Sequence, residues 1–245
     1  MSLNFLKLNE SKTEIIVFGS SDVPNTHHGN SSVLFSSVKS CVKNLGVLFD
    51  SALKFDRQIN LVVKSCFYQL RALAKVKTFL SFKHFETAIH AFISFRLDYC
   101  NSLYLGINSS SISRLQMVQN AAARLLTGVR KHEHITSVLR SLHWLPVRFR
   151  IDFKVLMLVF KCLNGLAPSY LSDLCEYHPE RTLRSANQSL LTVPKSKLKS
   201  RGDRAFAIAA PKLWNKLPIH IKTAPTLHIF KSKLKTYLFN IAYDS

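Results

Sequence analysis

The spacing of apolar residues changes near residue 53 of the chain. Before that point, short apolar runs alternate with polar turn residues and predict strands at residues 13–18, 32–38 and 41–49. The third run contains Gly46, and a glycine inside an apolar run often lets another backbone approach closely. We therefore expect residues 1–52 to be the only β-rich part of the protein.

Helical spacing begins at Phe55 and continues to about residue 80. Apolar residues at steps of three and four form one face, namely Ile59, Val63, Cys66, Leu70 and Leu73. A helix turns by about 100° per residue, which places four cations and one aromatic ring together on the opposite face. We call this set the basic stripe: Arg57, Lys64, Tyr68, Arg71 and Lys75. It is either an ordinary solvated face or a row of phosphate contacts with one stacking ring.

Three further helices are indicated by their ends. Ser81 is a typical N-cap for the first, whose expected inward residues are Phe85, Ala88, Ile89, Phe92 and Ile93. The second is expected to begin at Ser111 and to end at Gly128. The third begins at Pro146, and its segment 155–160 is apolar on every side, which indicates a central position.

The last third of the chain starts with a polar, basic segment. Residues 176–204 predict either an extended arm or two short strands. Beyond them, Trp214 is expected to be buried, and a terminal amphipathic helix is marked by Leu227, Phe230, Leu234, Leu238 and Ile241. The whole pattern predicts a mainly α protein with a small β-rich N-terminal segment (α+β). We expect divisions at 1–52, 53–175 and 176–245.

The charge balance indicates the class of partner. Among 245 residues, 34 are Lys or Arg and 14 are Asp or Glu, which gives a net charge of +20. Such an excess repels itself unless a polyanion neutralises it, so nucleic acid is the first candidate and an anionic membrane surface the second. The longest apolar run is far too short to span a membrane, and we expect no membrane partner. The absence of a recognisable secretory signal and the five scattered cysteines predict an intracellular protein, nuclear or cytoplasmic, with reduced thiols.

The residues that could carry catalysis are sparse. Two-metal catalysis needs neighbouring carboxylates, but no two of the 14 acidic residues are adjacent. Asp98 is followed by Tyr, Cys, Asn and Ser, which are poor magnesium ligands, so we interpret it as structural. Zinc half-sites occur at His132/His134 and Cys175/His178, but they are far apart in sequence. No phosphate-binding glycine loop or nucleophile motif is present. We therefore expect no catalytic residue, metal or cofactor in this chain, and no small-molecule substrate.

Several blocks together resemble one known family. The segment FLKLNESKTEIIVFG resembles the stretch that follows the catalytic aspartates in reverse transcriptases of non-LTR (LINE-type) retrotransposons. VKNLGVLFDSALKF is similar to the primer-grip strands that lead into the thumb of those enzymes. Downstream, similar blocks are FRLDYCNSLYLGI, LQMVQNAAARLLTG, LHWLPVRFRIDFKVLMLVFKCLNGLAPSYL and GDRAFAIAAPKLWNKLP. The resemblance covers essentially the whole chain.

The resemblance implies a remnant of a palm sheet followed by a thumb-like helical bundle. It also implies that the fingers, most of the palm with its paired aspartates, and the amino-terminal endonuclease of the parent protein are absent. Lys12 matches the lysine of the family's K-T-E block, Gly46 lies in the primer-grip turn with Leu45 and Val47, and Lys43 precedes that turn. RNA-directed DNA synthesis with magnesium is implied for the parent protein only.

Three hypotheses follow for the present chain. The first is a binding module that holds RNA or an RNA–DNA hybrid through phosphates, with Lys12, Lys43, Gly46 and the basic stripe as the contact residues. The second is an inert enzyme fragment that becomes active only when the missing half is supplied in trans. The third is a translated relic without a function.

Overall fold

The computed structural model describes residues 9, 12–18, 38–177, 189–196, 198 and 201–244. The chain forms two compact units, residues 1–60 and residues 61–245. In the described part of the chain the structure is mainly helical, with one small two-stranded antiparallel sheet. The predicted fold class is confirmed at that level.

The sheet is a hairpin of β1 (Cys41–Asn44) and β2 (Val47–Asp50). Asn44 pairs with Val47 across the turn, so Leu45 and Gly46 are its two central residues. Both have positive φ, 46° and 85°, as a tight hairpin turn of the primed type requires. The prediction of one strand over 41–49 is therefore wrong. Gly46 supplies a turn conformation rather than room for another backbone.

The strand predicted at 13–18 is also wrong. Ile15 forms an isolated parallel bridge with Val38, and the amide of Lys39 donates to the Ile15 carbonyl at 2.8 Å. The described residues around this bridge do not extend it into a strand. The strand predicted at 32–38 lies outside the described residues, apart from Val38.

Asp50 organises the connection from the hairpin to the first helix. Its carboxylate accepts hydrogen bonds from the amides of Ala52, Lys54 and Phe55, at 2.6–3.1 Å. The first helix, α1, is Asp56–Val76, and a 3₁₀ turn follows at Lys77–Phe79. The predicted apolar face of α1 is confirmed. Ile59, Cys66, Leu70 and Leu73 are buried, and Val63 is half-buried.

The second helical segment contains a wide turn. Ser81 caps α2 (Phe82–Ile89) as predicted, a π-helical turn follows at His90–Ser94, and α3 is Phe95–Asp98. The buried side chains are spaced four residues apart: Phe85, Ile89, Ile93 and Leu97. Phe92 is 45% exposed, so its predicted inward position is wrong. The wide turn shifts its phase relative to an ordinary α-helix.

The next helices match the predicted ends closely. Helix α4 is Ser109–Thr127, and the side chain of Asn108 caps it by accepting from the Ser111 amide at 2.7 Å. It therefore begins two residues before the predicted start, and Gly128 ends it with φ 79° as predicted. A short α5 is Ile135–Ser141. Helix α6 is Val147–Leu163, directly after Pro146.

Four helices complete the described chain. They are α7 (Ser169–Ser172), α8 (Phe206–Asn215), α9 (Ile219–Lys222) and α10 (Leu227–Tyr243). Within the described parts of 176–204, the strand-like pairing is an isolated bridge between Tyr177 and Leu191.

The core of the larger unit is centred on α6. Phe230 of α10 stacks on Phe160 of α6 at 4.3 Å between ring centroids, and Trp214 of α8 lies 5.9 Å from Phe230. The burial predicted for Trp214 and for the central part of α6 is confirmed. The predicted apolar face of α10 ends early, because Ile241 is 39% exposed. Buried residues on both sides of residue 175 belong to this cluster, and the predicted divisions of the chain stay a prediction.

Candidate nucleic-acid interface

The basic stripe is presented on the exposed side of α1. All five of its side chains are exposed, and Tyr68 keeps 64% of its surface accessible. These side chains are exposed because the opposite face of the helix carries the buried apolar residues. From Lys64 to Lys75 the stripe runs roughly 16 Å along the helix axis. The helical geometry predicted for these residues is therefore present.

The four cations of the stripe form no ion pair with an acid in the part of the chain that the structure describes. Among the described residues, the ion pairs of Lys and Arg join Lys39 to Glu14, Arg140 to Asp244, Arg150 to Asp98 and Lys212 to Asp203. None of them involves the stripe. A row of unpaired exposed cations with one exposed aromatic ring can contact successive phosphates and stack one base.

Lys12 and Lys43 form a second group, away from the stripe in sequence. Both line a shallow cleft of about 500 Å³, together with Glu14, Ile16 and the edge of the hairpin. Glu14 is engaged by Lys39 in an ion pair, which reduces its repulsion of an anion there. Gly46 lies at the exposed hairpin tip and does not line this cleft. The structure thus brings Lys12 and Lys43 together but leaves Gly46 apart.

The acidic and metal-ligating candidates do not form a site in the described residues. Asp98 is held by Arg150, whose Nε donates to Oδ1 at 2.8 Å while its Nη2 donates to Oδ2. This bidentate pair agrees with the structural role expected for Asp98. Within the described ranges, no group of three His, Cys, Asp or Glu side chains is placed to hold a metal ion. His178 lies outside those ranges.

The cysteines have the character of buried structural thiols. Cys66, Cys162 and Cys175 are buried and form no disulfide, as the sequence suggested for most of the five. Burial raises the pKa of the Cys66 thiol to about 11 and that of Cys175 to about 12. At neutral pH these groups are protonated, so they are not activated nucleophiles.

Sequence reasoning missed a second cleft, which lies in the larger unit. It has a volume of about 370 Å³, and residues from α2, the wide turn, α3, α6 and α10 line it. Its polar wall is Asp98, Arg150 and Asn101, and its aromatic wall includes His90 and Trp144. We call it the central cleft. No local motif indicates it, because Asp98 and Arg150 are 52 residues apart in the chain.

The wide turn fixes the position of His90 in the central cleft. Its Nδ1 lies 3.0 Å from the Ser94 hydroxyl, and its Nε2 lies 3.9 Å from the Glu86 carboxylate. The ring is held 5.3 Å from that of Trp144, at an interplanar angle of 56°. These side-chain contacts thus hold the His90 ring in one orientation against Trp144.

Comparison with known proteins does not identify a relative of this chain. No protein-family model matches this chain, and no curated protein or solved structure matches it either. Across the ranges that the structure describes, none of the helices has the length and apolar character needed to cross a membrane. The resemblance to LINE-type reverse transcriptases and the binding of nucleic acid therefore stay predictions.

Proposed function

We propose that this chain is the carboxy-terminal part of a LINE-type reverse transcriptase and binds RNA or an RNA–DNA hybrid without reading its sequence. The family assignment rests on the sequence resemblance, and the observation that carries the binding role is the basic stripe, with four exposed cations that have no ion-pair partner among the described residues. Phosphate contacts of this kind fix position and carry little sequence information. Tyr68 adds a ring on which an unpaired base can stack.

The proposal assigns no catalysis to this chain alone. Phosphoryl transfer depends on acidic side chains that hold two metal ions, and the described residues offer no such group. The role proposed is therefore that of a holding domain for template or hybrid, with chemistry supplied by the parent protein.

Salt dependence tests this proposal. Affinity for a generic RNA–DNA hybrid is measured by fluorescence anisotropy at roughly 50 to 200 mM salt, the range over which phosphate contacts weaken strongly. Changing Arg57, Lys64, Arg71 and Lys75 together to Gln is expected to reduce the slope of log K against log salt by about three units. Helix content should change little, because the buried face of α1 is untouched.

A matched control separates the stripe from bulk charge. Four exposed cations outside the stripe serve as the control, namely Lys83, Arg130, Lys131 and Lys195. Changing them to Gln removes as many positive charges as the stripe variant does. The control variant is expected to keep most of the slope. Equal losses in both variants would mean that binding is a diffuse effect of the net charge. If the unmodified protein binds no hybrid near about 100 mM salt, the holding role is wrong and the relic hypothesis is favoured.

A further inference from the structure

Two buried thiols lie in contact at the carboxyl end of α6. Cys162 occupies the last turn of that helix, and Cys175 follows the short helix α7. The two residues are 6% and 7% exposed and belong to one apolar cluster. A hydrogen bond joins their side chains, so the two sulfur atoms meet although they lie 13 positions apart in the chain. A thiol pair of this kind offers a chemistry that a single cysteine lacks, namely closure to a disulfide.

The chain between the two cysteines is a short turn, which we call the thiol turn (residues 162–175). Three backbone hydrogen bonds of 2.9 Å fold it back toward α6: the Leu166 amide donates to the Lys161 carbonyl, that of Asp173 to Ser169, and that of Cys175 to Ser172. Every side chain from 163 to 174 is exposed or half-buried. The thiols are thus covered by a thin layer without a fully buried side chain, and opening such a segment locally requires less free energy than unfolding the protein.

The two sulfur atoms have unequal surroundings. Burial is the largest influence on both and raises the pKa of each thiol, to about 12 at Cys175. Hydrogen bonds from the Cys175 thiol and the Ser172 hydroxyl oppose this effect on the pKa of Cys162, whereas the contact with Cys162 raises the pKa of Cys175 further. Cys162 therefore ionises more readily and is the first of the two to react. Because both thiols are protonated at neutral pH, proximity rather than activation distinguishes this pair.

We propose that Cys162 and Cys175 form a reversible disulfide when the protein meets a small disulfide oxidant such as oxidised glutathione. Cys162, once it has lost its proton, attacks one sulfur of the oxidant, forms a mixed disulfide and expels one glutathione thiolate. The Cys175 sulfur, after losing its own proton, attacks the Cys162 sulfur and expels the second thiolate. The two released protons convert both leaving groups to thiols. Two protein thiols are thus oxidised to one disulfide, and one oxidant molecule is reduced to two thiols.

The disulfide makes the thiol turn a redox-sensitive clasp on the central helix. It closes a loop from residue 162 to residue 175 and so restricts the unfolded chain, which raises the stability of the folded protein. For a loop of this length the melting temperature is expected to rise by about 5–10 °C. The clasp shares no residue with the basic stripe and is independent of the nucleic-acid binding proposed above.

Peptide mapping of the unmodified protein is the primary test. The folded protein is incubated with oxidised glutathione at about pH 8, free thiols are alkylated, and the unreduced digest is analysed by mass spectrometry. One pair of peptides joined through Cys162 and Cys175 is expected, and dithiothreitol should release it. Cys66 is the internal control, because it is 0% exposed in the middle of a 21-residue helix and should stay unmodified. Failure of Cys162 and Cys175 to link in the folded protein would overturn the proposal, as would a link that forms only in urea.

Single serine variants test the order of attack. Cys175→Ser is expected to stop at the glutathione mixed disulfide on Cys162, because the second thiol is absent. Cys162→Ser should leave Cys175 unmodified in the folded protein, and the reverse pattern would overturn the assigned order. Circular dichroism establishes that each variant is folded. Should one of them unfold, the peptide map of the unmodified protein still decides whether the disulfide forms.

Thermal melting tests the clasp. The oxidised protein is expected to melt about 5–10 °C above the reduced protein, whereas a double variant, Cys162→Ser with Cys175→Ser, should show no such shift under the same oxidant. This control accounts for the half-buried Cys41 and Cys100, which it leaves in place. An unchanged or lower melting temperature of the disulfide-linked protein would overturn the clasp. The quadruple stripe variant is expected to form the same disulfide, so a failure of the holding role of α1 would leave this result unchanged.

Discussion

Asp152 on helix α6 allows a test of how much a buried carboxylate lowers the free energy of unfolding. Its carboxyl group is half-buried on that helix, and burial raises its pKa from 3.8 to about 6. Arg148 and Lys216 act in the opposite direction, but their charges do not cancel the effect of burial. Between these two pKa values the folded protein therefore keeps a proton on Asp152 that the unfolded chain has already released.

The sign and size of the effect follow from proton linkage. Between pH 3.8 and about 6 the folded state binds more protons than the unfolded state, so the free energy of unfolding falls as the pH rises. The full difference in pKa corresponds to about 3 kcal/mol. Because the side chain is partly accessible to water, we expect about 1–2 kcal/mol. Asp152→Asn removes the buried charge and should stabilise the protein by that amount at pH 7.5.

Urea unfolding at a series of pH values between roughly 4 and 8 measures this difference. The two proteins are expected to be nearly equal near pH 4 and to diverge as the pH passes through about 6. Using the difference between them cancels the titration of all other groups. A constant difference across this range, or a less stable Asn variant at pH 7.5, would refute the reasoning. A less stable Asn variant would mean that the attraction of Arg148 and Lys216 outweighs the effect of burial.

Two further predictions concern the core and a helix end. Phe230→Ala should lower the free energy of unfolding by about 3–5 kcal/mol, because this fully buried ring lies against Phe160 and Trp214. Chemical denaturation, followed by tryptophan fluorescence, measures this loss of stability. A loss below about 1 kcal/mol would contradict the packing described. Asn108→Ala should lower the free energy of unfolding by about 1 kcal/mol, because it removes the side chain that caps α4. Asn108→Ser should keep most of that stability, since Ser can also cap the helix. Thermal melting compares the two variants, and equal losses of stability would exclude a capping role.

The elements that the sequence predicted well are those whose signals are local. Helices α1 and α6 have a periodic or continuous apolar pattern and typical end residues, and the structure places both where they were expected. The resemblance placed a turn at residues 45–47, but the hydrophobic pattern alone missed the hairpin because Leu45 occupies a left-handed position. That position usually carries Asn, Asp or Gly. An apolar residue there makes two short strands look like one.

The same distinction applies to the two candidate sites. The basic stripe lies on one helix, so its spacing alone brought its residues together. The central cleft draws on residues from Glu86 to Lys235, and its polar wall depends on the pairing of Asp98 with Arg150. Such contacts depend on how distant helices pack, which a local pattern does not contain.

The wide turn at His90–Ser94 has a consequence for helix design. In an ordinary α-helix four residues turn through about 400°, so three four-residue steps from Phe85 to Leu97 would drift by about 120°. The wide turn corrects this phase and keeps the four buried side chains on one face. A helical wheel drawn through 82–98 as one α-helix therefore misplaces every residue after Ser94. Apolar residues repeated at a strict four-residue interval therefore fit an underwound turn better than a regular α-helix.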